Sequence, residues 1–63
     1  MKNKIKEIRR KKGLTQEQLA KVCGVARQTI NAIENDKYDP TLQLAFKLSK
    51  ILQVKVDELF IYE

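Results

Sequence analysis

Apolar residues recur along this chain at helical spacing, in short runs separated by polar or glycine-bearing breaks. Ile5 and Ile8, followed by Arg9, fall on one side of a helix running roughly from Asn3 to Lys12, and Gly13 suits the left-handed residue that ends such a helix. Thr15 is a good N-cap, and Gln18 stands three residues on, where a capping box places Glu or Gln. Leu19, Ala20 and Cys23 then form the inner face of a second short helix, which Gly24 stops. Val25, apolar within the turn, plugs back into the core. A third helix is predicted from about Arg27 to Asn35. Ile30 and Ile33 face inward on it, leaving Arg27, Gln28, Thr29, Asn31 and Ala32 on its outer side and start.

The turn residues of Asp36-Lys37-Tyr38-Asp39-Pro40 mark a loop. Thr41 caps a fourth helix reaching about Leu52, and this helix carries two apolar stripes: Leu42, Ala45, Phe46 and Ser49 on one side, Leu44, Leu48, Ile51 and Leu52 on the other. One stripe satisfies a surface helix. Two make it central, touching the first three helices on one side and something else on the other. A last helical turn, Val56 to Phe60, adds Val56, Leu59 and Phe60 to the second side. Ile61 and Tyr62 leave an apolar C-terminus that is wasteful unless it docks. Phe60-Ile61-Tyr62 either pairs as a short strand with Met1-Lys2 or packs directly as a dimer contact; a second subunit benefits in both cases.

Length and composition narrow the picture. The 63 residues amount to one domain, 1–63. Such a chain buries only about 60% of the surface its unfolded form exposes. One cysteine cannot form an internal disulfide, and with no histidine there is no zinc set. Stability is therefore expected from helix packing and from a second copy. No stretch approaches the ~18 apolar residues of a membrane span. No apolar signal-type run follows the basic N-terminus, so a cytoplasmic protein is expected. Lys2, Lys4, Lys6, Arg9, Arg10, Lys11 and Lys12 stand against Glu7 alone, so residues 1–12 carry +6 of a total of +5 and the remainder sums to −1. That excess can neutralise phosphates or merely solvate a helix face.

The most informative unit is the pair of short helices joined by a glycine-bearing turn. Cap, small residue, glycine and apolar plug fall in the order Thr15, Ala20, Gly24, Val25, Ile30. This arrangement projects the second helix outward, where it fits a major groove ~12 Å wide. From Leu14 to Pro40, "LTQEQLAKVCGVARQTINAIENDKYDP" resembles the Cro/CI-type (XRE) helix-turn-helix family of transcriptional regulators, and the likeness continues through "TLQLAFKLSKILQVKVDELF". The chain is most similar to the minimal homodimeric repressors without a separate effector domain.

The resemblance implies an all-α, five-helix, lambda-repressor-like DNA-binding domain, with any terminal β-pair at the dimer interface. It also implies roles. Gln16 would bond a backbone phosphate, helped by the helix N-terminus. Arg27, Gln28 and Ala32 would face base edges, with Thr29 and Asn31 beside them: Arg to guanine, Gln to adenine, the Ala methyl to a thymine methyl. Asn35, Lys37 and Tyr38 would clamp the sugar–phosphate backbone. Arg9 and Glu34 would form an internal salt bridge.

Three positions depart from the family pattern. Ala26 replaces Ser and loses a capping hydroxyl, Asp36 replaces Gly after the third helix, and Asp39 stands where Asn is common. Cys23 reads as a packed core thiol rather than a redox switch. The neighbouring acids Asp57 and Glu58, like Asp36 and Asp39, read as caps or solvated loop residues. No nucleophile–base pair or metal set is present, so no enzyme is expected. The expectation is a homodimer joined through Leu48, Ile51, Phe60, Ile61 and Tyr62. It would bind a palindromic double-stranded operator and repress transcription, with no cofactor, membrane or small-molecule effector. The alternative is a protein-interaction module such as an antitoxin or anti-regulator.

Overall fold

The computed structural model describes residues 1–62. Five helices and a two-residue strand at each end follow one another: β1 (Lys2–Asn3), α1 (Ile5–Lys11), α2 (Gln16–Cys23), α3 (Arg27–Glu34), α4 (Leu42–Leu52), α5 (Val56–Leu59) and β2 (Phe60–Ile61). The strands pair antiparallel, Lys2 opposite Ile61 and Asn3 opposite Phe60. The sheet is a clasp, and the fold is otherwise helical.

Asn3 was expected inside the first helix and is found in β1 instead. Its side chain explains the change. Asn3 Oδ1 accepts from the Ile5 N–H at 3.2 Å, so it serves an N–H at the mouth of α1 rather than extending the helix. The Lys4 N–H donates to the Leu59 carbonyl at 2.9 Å, tying the start of α1 to the end of α5.

The cap signals coincide with the helix ends. Thr15 and Gln18 form a reciprocal capping box, Oγ1 accepting from the Gln18 N–H at 3.0 Å and Oε1 from the Thr15 N–H at 2.9 Å. Gly24 closes α2 in the left-handed conformation at φ 73°, where a Cβ is strained. Thr41 caps α4 through the Leu44 N–H at 3.2 Å.

Ile5, Leu19, Ile30, Leu48, Leu52 and Leu59 have no exposed surface, so one core joins all five helices. Of the two stripes predicted on α4, one is divided. Ala45 and Ser49 are buried with Leu44, Leu48 and Leu52, whereas Leu42 and Phe46 point outward at 71% and 57% exposure. Ser49 is tolerated inside because its hydroxyl donates to the Phe46 carbonyl at 2.9 Å.

Candidate nucleic-acid interface

Helices α2 and α3 meet through a turn that follows from the sequence. After Gly24, the Val25 N–H returns to the Ala20 carbonyl at 3.0 Å, and Val25 packs against the core. Ala26 is extended at the mouth of α3 and supplies no capping side chain. Ile30 and Ile33 then anchor α3 on Leu19, Ala20 and Cys23. This anchoring leaves Arg27, Gln28 and Asn31 exposed on the opposite side, with Thr29 and Ala32 half-buried at its margins. Thr29 borders a hollow shared with Cys23, Gly24 and Tyr38.

The C-terminal end of α3 is fastened to α1 by charge. Arg9 Nε donates to Glu34 Oε2 at 2.8 Å and Nη2 to Oε1 at 3.1 Å, while Nη1 reaches the Leu14 carbonyl at 2.9 Å. The Arg9 and Glu34 side chains are only 8% and 2% exposed. Arg9 therefore contributes to the basic count of the first segment but offers no charge to a partner. Gln16, at the start of α2, is half-buried; its Nε2 donates to Glu34 Oε1 at 2.9 Å. Asn31 Nδ2 donates to Gln16 Oε1 at 3.4 Å, and Asn35 Nδ2 to Asn31 Oδ1 at 3.2 Å.

The loop after α3 is held by its own departures from the family pattern. Asp36 adopts the left-handed conformation at φ 61°. Asn3 Nδ2 secures it, donating to the Ile33 carbonyl at 2.8 Å and, more weakly, to Asp36 Oδ1 at 3.3 Å. The Lys37 N–H returns to the Ala32 carbonyl at 2.9 Å. Lys37 and Tyr38 are exposed beside the foot of α3. Asp39 receives the N-terminal ammonium of Met1 at 2.8 Å, and this hydrogen bond raises the amine's pKa.

Arg10 was not singled out from the sequence. It lines one hollow with Gln16, Glu17 and Arg27, the mouth of the two-helix unit. It stands one residue after the buried Arg9, so the turn of α1 puts it on an open side. The charge run was visible in the sequence, and the expected bridge to Glu34 already set Arg9 apart from it; the place of Arg10 at this mouth was not visible.

The five residues expected to join two subunits do not share a surface. Leu48 is wholly buried and Phe60 is 8% exposed, so both already belong to the protomer's core. Ile51 lines a shallow groove with Val22, Lys47 and Lys50. Ile61 and Tyr62 border a different hollow with Met1 and Val56, and Phe60 lines its wall. Leu48 failed as a surface candidate because periodicity shows that a helix has two apolar sides without showing which one the chain covers itself.

Among the described residues, no group of His, Cys, Asp or Glu could hold a metal, and no helix is long and apolar enough to cross a membrane. Cys23 is a free, buried thiol whose pKa is raised by desolvation.

A capped helix, a left-handed glycine, an apolar plug and a second helix with a polar outer face define a helix-turn-helix fold of the DNA-binding type. The Helix-turn-helix family matches residues 5–59, and the chain belongs to that family. Over all 63 residues it is 60% identical to an HTH-type transcriptional regulator of Methanocaldococcus jannaschii, of which 96% is covered. Its fold is similar to that of the restriction-modification controller protein C.AhdI from Aeromonas hydrophila. That match has a TM-score of 0.81 and 34% identity over 89% of this chain and 85% of the other. The biofilm master regulator SinR of Bacillus subtilis, solved in complex with DNA, matches with a TM-score of 0.75 and 36% identity, over 82% of this chain and 84% of that one. The resemblance to XRE-type regulators therefore holds, and these relatives are transcriptional regulators rather than enzymes.

Proposed function

We propose that this chain is a sequence-specific double-stranded DNA-binding repressor that acts in the cytoplasm as a homodimer on a palindromic operator. The observation carrying this reading is the outer face of α3. Its exposed Arg27 and Gln28 stand on a helix locked from behind by Ile30, Ile33 and the buried Arg9–Glu34 pair. A rigid helix with a forked guanidinium and an amide at its free end suits bidentate reading of guanine and adenine. Thr29 and Ala32 flank that surface, and Gln16, Asn35, Lys37 and Tyr38 surround it with groups suited to phosphates. Arg10 adds charge at the same mouth.

A second subunit is supported by exposed apolar surface. Leu42 is 71% and Tyr62 89% exposed, with Met1 and Ile61 near them in the hollows around Val56 and Phe60. Burying this surface against its own copy would give a two-fold dimer with two α3 helices, and a palindromic operator requires such a pair to meet successive major grooves about 34 Å apart. Dimerisation is accordingly assigned to Leu42, Ile61 and Tyr62.

The test is selection from a pool of randomised duplexes, followed by titration of the enriched duplex and an unrelated one. One palindromic motif bound at least ~10³-fold more tightly than the unrelated duplex supports the reading. Enrichment of no motif, with equal binding to both duplexes at low salt, contradicts it.

A further inference from the structure

Gln16, Asn31 and Asn35 are not independent side chains. Glu34, ionised against Arg9, can only accept hydrogen bonds. Its Oε1 takes both Arg9 Nη2, at 3.1 Å, and Gln16 Nε2, at 2.9 Å. Gln16 must therefore turn its Oε1 away from Glu34, and that oxygen accepts from Asn31 Nδ2 at 3.4 Å. Asn31 Oδ1 in turn accepts from Asn35 Nδ2 at 3.2 Å. Flipping any one amide would bring oxygen against oxygen or N–H against N–H. The buried ion pair thus sets the direction of the whole ladder.

We propose that Asn31 is a positioning residue: it spans Gln16 and Asn35 and holds these two phosphate-facing amides at fixed spacing, rather than reading a base. The inference rests on the DNA-binding reading above. Clasping adenine would require the Asn31 amide to rotate toward the groove, breaking both rungs, releasing Asn35 and leaving Gln16 held from the Glu34 side alone. Left in place, Asn31 braces the Gln16 amide that Glu34 orients and passes that orientation on to Asn35 before DNA arrives, so less ordering is required on binding. A neutral ladder of this kind fixes register on the backbone and carries no sequence information.

The test compares wild type, Asn31→Ala and Gln28→Ala in selection from randomised duplexes, with titration on the enriched and an unrelated duplex. Asn31 is exposed and Ala favours helix, so the variant should melt with wild type. Asn31→Ala is expected to enrich the wild-type motif unchanged while binding roughly three- to tenfold more weakly to every duplex, the worth of a lost hydrogen bond. Gln28→Ala, by contrast, should relax one base position. Without DNA, the Gln16 side-chain amide resonance should move in Asn31→Ala. A motif relaxed at one position by Asn31→Ala, or affinity unchanged on all duplexes, would overturn the positioning role while leaving the DNA-binding reading intact. Failure of wild type itself to enrich a motif would remove both.

Discussion

Arg9 and Glu34 form a two-pronged ion pair in which both side chains are nearly excluded from water, at 2.8 and 3.1 Å. The pair joins α1 to the last turn of α3. Removing one partner leaves a charge buried without compensation, at a cost of ~3–5 kcal/mol. That cost is comparable with the whole stability of a 63-residue chain, about 3–9 kcal/mol at the usual value per residue. Glu34→Ala should therefore melt far below wild type by circular dichroism. Arg9→Met combined with Glu34→Leu should recover much of the lost stability, because two apolar side chains replace two desolvated charges. The double variant should still bind DNA more weakly than wild type, since Gln16 loses the acceptor that orients it.

The two helix starts at the turn respond in opposite directions. Thr15→Ala removes a formed capping box and should cost ~1 kcal/mol, lowering the melting temperature by about 4–8 °C. Ala26→Ser supplies α3 with a hydroxyl where the backbone is already extended and no side chain caps the helix. It should stabilise by up to ~1 kcal/mol. Thermal melts of both variants beside wild type decide the matter.

Cys23 should resist alkylation in the native state. It is 2% exposed, and desolvation raises its pKa, so at pH 8 little thiolate exists and reagent cannot reach it. The sign of the pH effect follows. The unfolded chain ionises at the ordinary thiol value while the folded chain does not, so stability contributed by the neutral thiol declines as pH rises past that value. The rate of modification should jump on adding denaturant; a native rate equal to the denatured one would contradict the burial.

Subunit association should depend on Leu42 and Tyr62 rather than on Leu48. Leu42→Glu with Tyr62→Glu places charge on surface exposed in the protomer, so the fold should persist while sedimentation shifts to the monomer. Leu48→Ala instead cuts a wholly buried side chain and should cost ~2–5 kcal/mol of stability. A dimer unchanged by the charged pair would move the interface elsewhere, with the Val22 and Ile51 groove the next place to look.

Much of this molecule could be read from local signals. Thr15 with Gln18, Gly13, Gly24 and Thr41 mark helix ends because caps and left-handed residues act within a few positions of themselves. Ile30 and Ile33 fix the inner side of α3 and, by subtraction, its outer face. What could not be read depends on distant partners. Asn3 leaves the helix because its side chain serves Ile5, Ile33 and Asp36 at once, two of them some thirty residues away. Leu42 and Leu48 carry the same apolar signal, yet one is 71% exposed and the other wholly buried, because tertiary packing covers only part of α4. Asn31 has the residue type of a base reader, and only the arrangement of Glu34, Gln16 and Asn35 around it suggests otherwise.

The central claim is that the outer face of α3 meets the DNA. The most direct test titrates the isotopically labelled chain with its selected duplex and maps the backbone amide shifts. The largest changes are expected from Arg27 to Ala32 and at the start of α2 around Gln16, with smaller ones at Lys37 and Tyr38. Shifts confined to the lysines of α1, or to the surface around Met1, Leu42 and Tyr62, with α3 unmoved, would contradict it.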